Sequence, residues 1–192
     1  MAQLVSDVTN SPLGLRLDKV RLREHNRRWS LIYALTASEI VALTDVGVDR
    51  IEHVGSTSVP GLTAVPILDI VIGLHGHELV DDIAAQLVEV GYVDLGDEGG
   101  DLGRLLARES SPAVRTIHVF IVGYGTEAWH EFRTFRDGLR NDALVRAQYS
   151  DVKRALARRF SGDRESYRAG KNAFVRKTLD VLSNGRAGSD SA

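Results

Sequence analysis

The sequence predicts an α+β fold, a small mixed β-sheet covered by helices and followed by a helical C-terminal portion. Three observations predict it. The runs that read as strands all fall before residue 125, residues 127–182 carry only helical periodicity, and glycine- or proline-bearing turns separate the runs. At 192 residues the chain is long enough for one domain with a sizeable core.

Taken in order, residues 1–18 are small and polar and predict a flexible start. Trp29, Ile32, Tyr33, Ile40 and Leu43 recur at three- and four-residue steps, which predicts helix from about Lys19 to Thr44, with Ser38 capping a second segment. Val48–Val54 and Pro66–Leu74 read as strands around the small-residue loop Gly55–Gly61. A helix is predicted over His77–Val90, stopped by Gly91, then a short strand at Tyr92–Leu95. Gly96–Gly103 is glycine-rich and acidic and reads as a mobile loop, and Arg104–Arg108 with Ala113–Val122 reads as a hairpin. Three helices follow, at Glu127–Arg140, at about Ala143–Phe160 behind a cap at Asn141 or Asp142, and at Arg164–Leu182. The predicted division is thus a flexible 1–18, an α/β core at 19–125, a helical portion at 126–182 and a disordered tail at 183–192.

Composition narrows the function classes. The absence of cysteine excludes disulfides and thiolate metal sites, no apolar run is long enough to span a membrane, and the first residues lack a signal-peptide pattern. The expected compartment is the cytoplasm, with no membrane partner. A net charge of −2 argues against broad nucleic-acid binding, yet residues 127–182 hold 13 Lys+Arg against 8 Asp+Glu. That half reads either as a solvated basic surface or as a basic wall facing an anionic ligand.

The site residues cluster around 51–74. Asp69 is the one carboxylate in an apolar strand, where an unpaired charge costs several kcal/mol, so its presence asks for a function. Twelve residues, Thr57–Leu68, separate Gly55-Ser56 from Asp69. A strand, a Gly-Ser turn and an acid-bearing strand form the front edge of a nucleotidyltransferase-type active site. There the turn's backbone N–H groups hold phosphate, and paired acids on the next strand hold Mg²⁺ or Mn²⁺. On this reading Gly55, Ser56 and Thr57 bind phosphate, while Asp69 holds the metal or acts as a base. The second acid belongs two residues on, where Val71 stands, and the later strand offers His118. His53, Asp69 and His118 are then either a two-imidazole, one-carboxylate metal site or a carboxylate beside two hydrogen-bonded histidines. Asp97 or Glu98 in the acidic loop is a candidate for the missing carboxylate; His75 and His77 read as surface residues. Arg104, Arg136 and Lys171 are the candidate phosphate-neutralising cations.

The same residues carry a resemblance. His53-Val54-Gly55-Ser56-Thr57-Ser58-Val59-Pro60-Gly61-Leu62, Pro66-Ile67-Leu68-Asp69-Ile70, Phe135-Arg136-Asp137-x-Leu139-Arg140, Tyr149-x-x-x-Lys153 and Tyr167-x-x-x-Lys171-x-x-Phe174 resemble the GrpB family. The resemblance implies a nucleotidyltransferase-like fold with a helical C-terminal portion. The expected function is binding of a nucleotide or another phosphorylated small molecule, with nucleotidyl transfer to a small acceptor. The alternative is a non-catalytic module on a decayed transferase fold. Three positions depart from the family pattern, Val65 in place of a lysine and Leu105-Leu106 in place of two aromatics.

Overall fold

The computed structural model describes residues 12–76 and 78–187. Its strands are β1 (Leu15–Arg16), β2 (Ile51–Val54), β3 (Leu68–Leu74), β4 (Tyr92–Asp94), β5 (Arg104–Ser111) and β6 (Val114–Gly123), and its helices are α1 (Arg28–Thr44), α2 (Val80–Glu89), α3 (Glu127–Asn141), α4 (Ala143–Arg159) and α5 (Arg164–Ala187). The sheet runs β2-β3-β6-β5-β4, with β1 pairing the start of β6. β3 and β6 are parallel and every other pairing is antiparallel, so the sheet is mixed as expected.

Side-chain alternation along β3 divides the molecule. Leu68, Ile70, Ile72 and Leu74 face α1 and α2, where they form one apolar core with Ala37, Ile40, Ile83, Leu87 and Val119. Val71 belongs to a second cluster on the opposite face, with Val54, Val122 and Trp129. A strand buried on both faces reads as a continuous apolar run, which is why Asp69 is conspicuous there. A third cluster joins Val59 and Leu62 of the loop after β2 to Phe135, Leu139 and Tyr149 of α3 and α4. This cluster seats the helical portion on the Gly-Ser turn.

Several boundaries differ from expectation for physical reasons. Residues 19–27 are not helical; they run as a strap whose Arg23 bridges Ala64 and whose Val20 N–H donates to Ser161 C=O at 2.8 Å. The Asn26 side chain accepts from the Arg28 N–H at 2.9 Å, and the helix starts there. Ser38 caps nothing; its hydroxyl donates back to Ala34 C=O within an unbroken α1. Residues 48–50 form a short 3₁₀ turn ahead of β2. The β5–β6 hairpin extends to a tight turn at Pro112-Ala113, with register shifts around Glu109. Residues 96–102 are wound into 3₁₀ turns. The Asp142 carboxylate caps α4, accepting from Leu144 and Val145 N–H at 2.8 and 3.0 Å. Helix α5 runs on to Ala187, past the expected end at Leu182. Most of the expected flexible start, His77, the Glu98 side chain and residues 188–192 lie outside the described residues.

Candidate functional site

The acid and the turn meet as the sequence predicts. Val54 is paired with Asp69 across β2 and β3, so the chain leaving β2 turns at Gly55 directly against the Asp69 carboxylate. Gly55 sits at φ +67°, ψ −170°, a conformation essentially reserved for glycine. A Cβ there would stand 2.2 Å from Asp69 Oδ2. The following turn is a 3₁₀ segment of three residues, Ser56–Ser58, rather than the opening of a longer helix. Ser58 ties it down by donating to Gly55 C=O at 2.7 Å, and Arg140 Nη2 of α3 donates to Ser58 C=O at 2.8 Å.

Asp69 is the direct neighbour of His118 on the parallel strand β6. Asp69 Oδ1 lies 3.1 Å from His118 Nδ1, and the two side chains are 30% and 14% exposed, so the pair opens to the surface on the carboxylate side. A carboxylate only accepts, so Nδ1 is the donor in this contact. His118 Nε2 is buried and finds no hydrogen-bond partner among the described residues.

His53 does not join them. It pairs with Ile70, one position out of phase with Asp69, and therefore points to the other face of β2. There its ring stacks on Tyr33 at 4.8 Å and its Nε2 lies 3.1 Å from Thr57 Oγ1. Burial pushes its pKa down to about 3, so it is a neutral core histidine. Thr57 is buried in that contact and is not presented to a ligand. No group of three or more His, Asp or Glu side chains suited to a metal exists among the described residues. A lone carboxylate already shared with His118 does not fit Mg²⁺ or Mn²⁺, which take several oxygen ligands. Asp97 is an exposed residue of the 3₁₀ segment.

Two of the predicted cations are committed elsewhere. Arg104 lies on the α1/α2 face, bound to Asp94 and to Asp81 of α2. Arg136 is buried, bound to Glu52 and Asp137, and donates to His53 C=O at 3.3 Å. It fastens α3 to β2.

Lys171 does face the site, and it has company. Lys153 of α4 is 1% exposed, donates to Ser56 Oγ at 3.0 Å and to Thr63 C=O, and lies 4.4 Å from the centre of the Tyr149 ring. Burial, helped by the charges of Lys171 and Arg154, lowers its pKa to about 7. Tyr149 is buried against the same turn and hydrogen-bonds Ser56. On α5, Arg164, Tyr167 and Lys171 recur at three- and four-residue steps and so share one face. Burial lowers the pKa of both Arg164 and Lys171, and the charge of Asp69 acts on each in the opposite sense. Arg164 Nη1 and the Tyr167 hydroxyl are buried without hydrogen-bond partners among the described residues. Burial raises the Tyr167 pKa to about 12, which keeps it a neutral donor.

The site therefore joins Asp69, His118 and Ser56 on the sheet side to Lys153, Arg164 and Lys171 on the helical side, through the Lys153–Ser56 hydrogen bond and the charge of Asp69. Lys153, Tyr149, Tyr167 and Lys171 were legible as two aromatic–basic pairs at i, i+4. Nothing in the sequence set Arg164 apart from its basic neighbours.

The fold and site define an α+β protein with a mixed sheet, one carboxylate against a Gly-Ser turn, and cations contributed by the helical portion. The chain belongs to the GrpB protein family, whose profile matches residues 19–180. It is 36% identical over 158 residues to a UPF0157 protein of Streptomyces coelicolor, covering 82% of this chain and 81% of that one. It superposes on the crystal structure of GrpB from Enterococcus faecalis with a TM-score of 0.75 at 26% identity, covering 86% of this chain and 99% of that one. A further match, 27% identical over 154 residues, falls within a dephospho-CoA kinase of Mycobacterium leprae and covers 66% of this chain but 37% of that protein.

Proposed function

We propose that the site between the Gly-Ser turn and the helical portion binds the phosphates of a nucleotide or of another phosphorylated small molecule. One observation carries this reading. The charge of one carboxylate, Asp69, acts on three cations, the buried Lys153 and the half-buried Arg164 and Lys171, and two buried polar atoms of the same helix α5, Arg164 Nη1 and the Tyr167 hydroxyl, lack any partner among the described residues. Buried polar groups in native proteins are nearly always satisfied, and buried charges are compensated. A phosphate chain supplies the missing acceptors and the missing negative charge together.

Nucleotidyl transfer to a small acceptor is the catalytic form of this reading, and a non-catalytic binding module is the other. Val71, buried where a second metal-holding acid would stand, speaks against two-metal chemistry in either form.

A thermal-shift screen tests the reading. The ligands are the four NTPs with and without Mg²⁺ and Mn²⁺, together with dephospho-CoA, which the M. leprae relative makes worth including. A ligand at a hundred times its dissociation constant stabilises by about 2.7 kcal/mol, which is readily visible. The expected result is a shift with at least one phosphorylated ligand that is lost in Lys171→Gln. No shift with any of them contradicts the reading.

A further inference from the structure

Helix α1 is apolar on the side it buries and also on the side it shows to solvent. Between Arg28 and Asp45 its only charged residue is Glu39, which is bound to Arg108 at 2.9 and 3.0 Å. Leu31 and Leu35 are 60% and 50% exposed, and Ala34, Ser38 and Ala42 beside them are exposed as well. A surface helix ordinarily turns charged residues to water on that side. Leu31, Leu35, Ser38 and Ala42 follow steps of four, three and four residues, the spacing of a helix-pairing seam. Arg28 and Asp45, both exposed, extend the seam by one step at either end.

The order of side chains along the seam identifies its occupant. Large residues fill the N-terminal half and small ones the C-terminal half. When α1 is laid antiparallel on a second copy about a two-fold axis, Leu31 meets the second copy's Ala42 and Leu35 meets the second copy's Ser38. Each large side chain then packs over a small one, as close packing requires, and the same patch serves both copies. The end charges agree. Arg28 opens α1 and Asp45 closes it, each at the end where the helix dipole disfavours its sign. In the antiparallel pair Arg28 meets the second copy's Asp45, at the helix end that favours a cation. A parallel pair would stack like charges and set leucine on leucine.

We propose that α1 is the contact face of a weak, two-fold-symmetric homodimer in which the α1 helices of two copies pack antiparallel. The inference is independent of the phosphate-binding reading, because α1 packs on the sheet face opposite the one that carries Asp69. Seventeen residues make a helix about 25 Å long and ~10 Å wide, a footprint of roughly 250 Å². A stable interface takes about 800 Å² from each partner, so this association is concentration-dependent.

Sedimentation equilibrium of the full chain, from low micromolar to millimolar concentration, is the first arm of the test. The mean mass should climb from 21.0 kDa toward twice that value. Leu35→Glu alters an exposed position, so it should leave the melting temperature of dilute protein unchanged while raising the dissociation constant at least about tenfold. The second arm reads the arrangement by disulfide trapping, for which the chain has no cysteine of its own. A mixture of Leu31→Cys and Ala42→Cys chains should give a disulfide-linked dimer under mild oxidation. Neither variant should do so alone, because like positions lie eleven residues apart along the seam, about 16 Å, against a limit near ~7 Å between Cα atoms. A mass that stays monomeric at every concentration overturns the proposal. So does a dimer that Leu35→Glu leaves intact, since its contact lies elsewhere. Trapping of either cysteine variant alone, or a dimer whose mixed variants fail to cross-link, overturns the antiparallel arrangement and the proposal with it.

Discussion

The Lys153 ammonium donates to Ser56 Oγ at 3.0 Å, joining helix α4 to the Gly-Ser turn across 97 positions of sequence. The same ammonium donates to Thr63 C=O, so one buried cation closes both ends of the loop that carries the Gly-Ser turn. The helical portion is therefore part of the site rather than a cover laid over it.

That burial has a consequence for stability. With its pKa lowered from 10.5 to about 7, Lys153 holds fewer protons in the native than in the unfolded chain between those values. Stability gained from this group thus rises with pH through that window, by at most about 1.4 kcal/mol per pH unit. Urea denaturation from pH 6.5 to 10 should show the rise, and Lys153→Met should flatten it. An unchanged slope in the variant would place the linked proton elsewhere.

His53 adds a second linkage at lower pH. Its pKa falls from 6.5 to about 3 on burial, so the unfolded chain takes up a proton that the native chain refuses between those values. Stability should fall as the pH drops through that range. His53→Phe, which keeps the stack on Tyr33, should remove that part of the acid sensitivity in a pH series of melting curves.

Gly55 and Asp69 occupy one space. Gly55→Ala places a Cβ 2.2 Å from the Asp69 carboxylate in a backbone region that excludes side chains. The conformation alone costs of order 1–3 kcal/mol, and Asp69 must also move. The variant should unfold at lower denaturant and lose any nucleotide-induced thermal shift. Preserved binding would detach the site from Asp69.

Arg136 and Lys171 should separate cleanly. Arg136 is bound to Glu52 and Asp137, and removing one partner of a buried pair costs about 3–5 kcal/mol. Arg136→Met should therefore lower stability by an amount of that order and leave triphosphate affinity in the surviving folded fraction within about threefold, a difference under 1 kcal/mol. Lys171 is a half-buried cation whose charge is opposed by desolvation, so Lys171→Gln should leave stability intact or raise it while weakening triphosphate binding. Chemical denaturation and calorimetric titration of both variants check the pair.

How much of this was legible in the sequence follows from where each partner lies. Strands, the turn and the acid were local patterns, and Gly55, Ser56 and Asp69 came together as their spacing implied. The i, i+4 pairs Tyr149–Lys153 and Tyr167–Lys171 marked the helical faces that interact with Ser56 and Asp69. Arg104 and Arg136 were misplaced because the acids that hold them, Asp81, Asp94 and Glu52, come from distant segments. His53 was grouped with His118 because a strand's register on its neighbour is not readable from the strand. One residue of slip decides which face a side chain takes, and the register here sets Val54, not His53, opposite Asp69.

The most direct measurement is a calorimetric titration of inorganic triphosphate, the anionic part common to all four NTPs, into the wild-type chain and into Lys171→Gln. The proposed phosphate-binding site predicts saturable one-to-one binding that weakens with salt and falls at least about tenfold in the variant, a loss of about 1.4 kcal/mol. No saturable heat in the wild type, or equal affinity in the variant, would contradict a phosphate-binding site between the sheet and the helical portion.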